Sequence, residues 1–172
     1  MTKTSLAFTP ATELARLIRQ RKVSPVEVVD ELLERIAALN PKLNAYLTVA
    51  EEEARLAARK AEEATRTRED LPPLHGVPIS IKDLYLTKGL RTTGGSLVYK
   101  DNVPQEDAVV VERVRRAGAI IIGKTNTPEF GLSTTTENRL ADPCRNPWNV
   151  GCTTGGSSGG AAAAVAAGLG PL

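Results

Sequence analysis

The spacing of apolar and polar positions changes character near residue 70. Before it the periods are helical. A short helix is predicted near residues 10–21. Ser24-Pro25-Val26-Glu27 then combines a capping box with proline at the first helical position. Val29, Leu32, Leu33 and Ile36 follow on one helix face, and Asn40-Pro41 is the predicted stop. Residues 43–49 read as a short extended piece. From 50 to about 66, Ala50, Ala54, Ala57, Ala61 and Ala64 form a face of small side chains, with charges around the rest.

After residue 70 strands, loops and helices alternate. Val77, Ile79 and Ile81 interleave with Pro78, Ser80 and Lys82, which predicts a strand with two distinct faces. A loop rich in glycine and threonine occupies residues 87–96. Residues 107–117 read as a helix through Val110, Val111, Val114 and Ala117, with Gly118 as its cap. Residues 119–122 predict a buried strand ending at Gly123-Lys124. A long polar segment, 125–154, leads to GGSSGG (155–160), which opens an alanine-rich helix closed by Gly168. Strand, helix, strand in this order predicts an α/β fold with a partly parallel sheet. The division expected is a helical region, 1–73, and part of an α/β core, 74–172. The helical region reads as a solvated arm or cap with no chemistry of its own.

Composition narrows the function. All 14 glycines follow residue 70, so the turns that glycine permits belong to the second part. The 22 basic residues nearly cancel the 20 acidic ones, leaving a net charge of +2, too weak a field to hold nucleic acid directly. One histidine, His75, and two cysteines, Cys144 and Cys152, are too few for the common zinc sites, and no metal is expected. The first twenty residues carry charges every few positions and lack the apolar core of a signal peptide. The longest apolar run, from Ala161 to Leu172, is too short to span a bilayer. The expectation is a cytoplasmic protein with both thiols reduced and no membrane contact. The final AAAAVAAGLGPL has no polar closing element, so the chain is expected to be the N-terminal part of a longer protein.

The candidate chemistry centres on GGSSGG. Four glycines around Ser157 and Ser158, directly before a helix, permit a tight turn with backbone N–H groups pointing into it. Such a loop could be a flexible linker, a cradle for an anion, or a catalytic loop holding a serine. It lacks the lysine of a Walker loop and the spacing of a dinucleotide fold. A serine would need a base. His75 lies just before a strand and reads as structural. Lys82 and Lys124 both end strands, where α/β sheets place their active sites. Each is a candidate base, and each is equally readable as a solvated strand-end charge. A lysine base must shed its proton near neutral pH, which burial between apolar strands favours.

Taken together, LHGVPISIKD (74–83), TKGLRTTGGS (87–96), AGAIIIGKTNTPEFGLSTTTEN (117–138), CRNPWN (144–149) and TTGGSSGGAAAAVAAG (153–168) resemble the amidase signature family. The resemblance implies an α/β fold with a mixed sheet flanked by helices, of which this chain would be the N-terminal part. It implies a Ser-cis-Ser-Lys triad that hydrolyses carboxamides with no metal or organic cofactor. The family's lysine falls on Lys82 and its bridging serine on Ser157, with the Gly156–Ser157 peptide cis. Gly155, Gly156 and Ser158 would support the triad, and Gly131, Leu132 and Ser133 would line the acyl pocket. The family's nucleophilic serine lies past Leu172, so this chain alone is expected to be inactive. Ala141-Asp142 and Thr154 depart from the Phe-Gly and proline common in relatives.

The implied substrate is a small-molecule amide. The free-standing hydrolases of the family, as a homodimer or alone, are one possibility. The A component of glutamyl-tRNA amidotransferase, with its B and C partner subunits, is another. NTPEFG (126–131) is closer to the general amidases, because that component more often has methionine-aspartate before the glutamate. A non-catalytic anion-binding module built on GGSSGG is the reading from another class.

Overall fold

The structure, a computed structural model, describes residues 5–68 and 70–172. Residues 1–4 of the charged N-terminal stretch, and Glu69 of the helical region, lie outside it. Three helices and a strand come first. They are α1 (Ala11–Arg19), α2 (Pro25–Leu43), β1 (Tyr46–Val49) and α3 (Glu51–Thr67). Then follow β2 (Pro78–Lys82), α4 (Val109–Arg116), β3 (Ile120–Thr125), the hairpin β4 (Arg145–Asn146) and β5 (Asn149–Thr153), and α5 (Gly159–Ala166).

The α2 start is the one its sequence dictates. Ser24 Oγ accepts from Val26 N and Glu27 reaches back to Ser24 N, with Pro25 at the first turn. The end differs from expectation. The helix runs through Pro41 to Leu43, and Asn44 caps it in a left-handed conformation, its N–H donating to Asn40 O. Pro41 has no N–H to give Ala37 O, so one hydrogen bond is lost, and only two residues of the helix follow it. Asn40 instead uses its side chain to hold both N–H and C=O of Tyr46, which turns the chain into β1. On α3 the buried residues are Ala54, Ala58, Ala61 and Thr65, so the packed face is rotated from the one predicted, and Ala57 and Ala64 flank it. On α4 only Val111 is buried, while Val110 is exposed.

The sheet has the order β1–β3–β2, with β2 parallel and β1 antiparallel to β3. The ladder between β2 and β3 carries an irregularity between Ile79 and Ser80. Beyond it Ile81 pairs with Lys124 and Lys82 with Thr125. The helical region is no detached arm. Val28, Leu32, Ile36 and Ala58 share one core with Ile120, Ile122, Ala163 and Leu169. His75 is buried, with Nε2 3.0 Å from both Ala61 O and Thr65 Oγ1 on α3, which ties that helix to the approach of β2. Both cysteines are free, Cys144 buried and Cys152 exposed.

The alanine-rich α5 lies against the sheet at backbone distance. A Cβ built on Gly160 would stand 2.5 Å from Asn126 O and 2.7 Å from Ala45 O, and closer still to Asn126 N. These are backbone atoms of the strand ends and have nowhere to go. Gly160→Ala is therefore expected to cost about 3 kcal/mol, at the top of the usual range for overpacking, read as a fall in the urea midpoint at unchanged slope.

Candidate active site

Lys82 closes β2 and points from the carboxyl end of the sheet toward the loop before α5. Its Nζ donates to Ser157 Oγ at 2.7 Å and to Ser158 Oγ at 3.0 Å. The Gly156–Ser157 peptide is cis. Ser158 is the N-cap of α5, yet its hydroxyl makes no capping bond and turns to the lysine instead. Burial pushes the Lys82 ammonium below the ordinary lysine range. The amino end of α5, whose partial charge is positive, adds in the same direction.

Two side chains not singled out from sequence set the loop. Thr136 Oγ1 donates to Gly155 O at 2.7 Å and accepts from Gly159 N at 3.1 Å, so one hydroxyl pins both ends of the turn. Asn138 Nδ2 donates to Asn126 Oδ1 and to Thr127 O, fixing the end of β3 on which α5 rests. Nothing in the spacing of the TTTEN run marks these roles, because each depends on a partner far along the chain. Gly159 N is thus taken by Thr136, and Gly160 N donates to Asn126 O. These N–H groups are spent inside the fold, which removes them from any anion cradle at GGSSGG.

Of the expected pocket residues, Gly131 borders the site. A Cβ there would stand 3.9 Å from Ser157 Oγ. Ser133 approaches through its backbone, its carbonyl oxygen lying 2.9 Å from where a Cβ of Gly156 would be. Leu132 is 84% exposed. Ser80 turns from the site, its N–H and hydroxyl both donating to Leu172 O.

Lys124, the other candidate base, is neither a base nor a solvated charge. It is fully buried, and Nζ donates to Tyr85 O at 2.6 Å, Thr87 Oγ1 at 2.9 Å and Thr92 Oγ1 at 2.7 Å. The two threonine hydroxyls spend their own hydrogens on Tyr85 O and Leu90 O. All three acceptors therefore need a hydrogen from the lysine, and only the ammonium has three. Burial pushes its pKa down to about 8, which still leaves it charged at neutral pH. The counter-charge is Asp83, also fully buried, with Oδ1 3.9 Å from Nζ. Among the described residues no group of three histidines, cysteines or carboxylates could hold a metal ion, and no helix is long and apolar enough to cross a membrane.

The loop before α5 thus brings together an amine, two hydroxyls and a helix start, with no imidazole among them. The amidase family model matches residues 27–172, and the chain belongs to that family. The acylamidase of Rhodococcus erythropolis is 45% identical over 172 residues, 100% of this chain and 36% of that protein. The A component of the glutamyl-tRNA(Gln) amidotransferase of Anaeromyxobacter sp. (strain K) is 45% identical over 168 residues, 93% of this chain and 34% of that protein. A solved structure of a vestigial protein complex, bearing on the origins of an s-triazine catabolic enzyme, matches with a TM-score of 0.89 at 36% identity. It covers 94% of this chain and 35% of that one. The fold is accordingly the amidase signature fold, with helices around a small mixed sheet. The chain spans about a third of the length of the relatives it matches.

Proposed function

We propose that this chain carries the base and the bridging hydroxyl of a hydrolase that cleaves the carbon–nitrogen bond of carboxamides. The supporting observation is the 2.7 Å contact between Lys82 Nζ and Ser157 Oγ at a lysine whose ammonium is disfavoured by burial. Neutral Lys82 accepts the Ser157 proton while Ser157 accepts one from a nucleophilic serine located, as in the family, beyond Leu172. The freed oxygen attacks the amide carbonyl carbon, and the proton returns through Ser157 to the departing nitrogen. Ammonia or an amine leaves, and water cleaves the acyl-enzyme by the same route. Ser158 steadies Lys82, Gly155 and Gly156 shape the turn, and Gly131, Leu132 and Ser133 border the acyl group. The substrate is a small-molecule amide, and the chain alone turns none over.

The test is a chimera in which this chain replaces the matching 36% of the Rhodococcus erythropolis acylamidase. Amide hydrolysis by the chimera is the expected result. A folded chimera with no activity, beside an active parent, defeats the reading. A fluorophosphonate probe on the 172-residue chain is expected to leave Ser157 unlabelled, and labelling there would reverse the roles assigned to the serines.

The second reading is the A component of an amidotransferase, supported by the 45% identity to the Anaeromyxobacter protein. It requires B- and C-type partner subunits. Stable copurification with a B-type partner would favour it over the free-standing hydrolase.

A further inference from the structure

We propose that Asp83 and Lys124 are positioning residues, a buried ion pair that fixes the end of β2 and the wall beside Ser157 so that Lys82 Nζ is held against Ser157 Oγ. The inference rests on the reading of Lys82 as a base.

The pair sits on the face of the sheet opposite Lys82. Ile81 and Lys124 are register partners, and so are Lys82 and Thr125, so the two lysines project to opposite sides. Asp83 follows Lys82 directly. Its N–H donates to Thr125 O at 3.1 Å and carries the ladder one residue past the lysine. Its carbonyl accepts from Gly94 N at 2.9 Å, and Oδ2 accepts from the N–H and the hydroxyl of Thr93. Lys124 grips the same loop at Tyr85, Thr87 and Thr92. Both ends of the segment from 85 to 94 are thus tied to one buried pair of charges.

The loop passes this order on to the site. Gly94 O accepts from Phe130 N at 2.7 Å, and Ser96 Oγ donates to Glu129 Oε1 at 2.6 Å. Phe130 is held with a positive φ of 51°. Gly131, next in sequence, stands beside Ser157 Oγ and against Leu84. A pair needed only to hold the fold together would be as well served by apolar residues. The hydrogen bonds made here hold the segment that directly follows Lys82, and through Gly94 and Phe130 that segment reaches the one beside Ser157. The other charges that bear on the pair are Asp107, toward Lys124, and Arg91, toward Asp83. Lys82 itself meets two hydroxyls and the start of α5.

The experiment reads Lys82 directly, without amide turnover. The 172-residue chain is trace-acetylated with acetic anhydride across a pH series, and each lysine is quantified by peptide mass spectrometry. Lys60 and Lys100, both exposed, serve as internal references. In the wild type Lys82 is expected to become reactive at lower pH than either. In Lys124→Met/Asp83→Asn, which is neutral and keeps an acceptor for Thr93, the Lys82 curve is expected to move up to the references. Folding is checked by circular dichroism and a cooperative urea transition. Should that variant not fold, Thr87→Val with Thr92→Val strips two acceptors from Lys124 and leaves both charges, and the same upward shift is expected. A folded variant in which Lys82 keeps its early onset overturns the positioning role alone. A wild-type Lys82 that titrates with Lys60 and Lys100 removes the base reading itself, and the positioning role with it.

Discussion

Lys82→Ala, placed in the acylamidase chimera, is expected to lower amide hydrolysis at least about a thousandfold, or about 4 kcal/mol in the barrier. The loss should appear in kcat, because the proton transfers that Lys82 performs belong to the transition state. Lys82→Arg separates the base from the charge. A guanidinium in the same place can still donate to Ser157 and Ser158, but it does not deprotonate in a protein. It is expected to be as inactive as alanine. Activity recovered by arginine would mean that the position supplies a hydrogen-bond donor and not a proton acceptor. The measurement is ammonia release under saturating and limiting substrate, with circular dichroism to establish that the chimera is folded.

Lys124→Met is expected to destabilise the chain by about 3–5 kcal/mol, the range for removing one partner of a buried pair. The effect comes from what stays behind. Asp83 remains fully buried with Thr93 as the only hydrogen-bonding partner of its side chain among the described residues. Desolvation already pushes the Asp83 carboxyl above the ordinary carboxylate range, against the pull of Lys124. Without Lys124 it rises further. A carboxyl whose folded pKa exceeds its unfolded value binds more protons in the folded state, so stability falls as pH rises through that window. The deficit of the variant is therefore expected to be largest near neutral pH and to shrink toward about pH 4, near the unperturbed carboxylate value. Urea midpoints of wild type and variant at the two pH values measure it. A deficit that grows on acidification would mean that the Asp83 charge is not its source.

What the sequence reveals is set by how local each determinant is. The α2 start is legible because the cap, the proline and the returning glutamate lie within one helical turn. The β2 and β3 strands are legible from alternation and from a run of isoleucines. GGSSGG stands out because few other sequences can make such a turn before a helix. The α2 end is misread because proline in a last turn loses little, while Asn40 finds a better use for its side chain six residues on. The face of α3 is misread because alanine contributes almost no amphipathic contrast. The β4–β5 hairpin is hidden in a polar stretch whose strands are short and largely exposed. For the site, Lys82 and Ser157 can be named from motifs. The hold of Thr136 on Gly155 and Gly159 cannot be, nor the burial of Lys124, since their partners lie 19 to 39 residues away.

Two lysines at nearly the same height of one sheet face opposite sides of it and meet unlike surroundings. Lys124 lies among three acceptors and a carboxylate, and Lys82 meets the hydroxyls of Ser157 and Ser158. The slip in pairing after Ile79 decides which strand position meets which surroundings. Because side chains alternate, a deletion of one residue there would exchange the two sides of the strand. It would carry the amine into the cage of acceptors and hand the serines an aspartate. A catalogue of functional positions would pass over Ile79 and Ser80, yet which side of the sheet each later residue of that strand faces is decided at this joint.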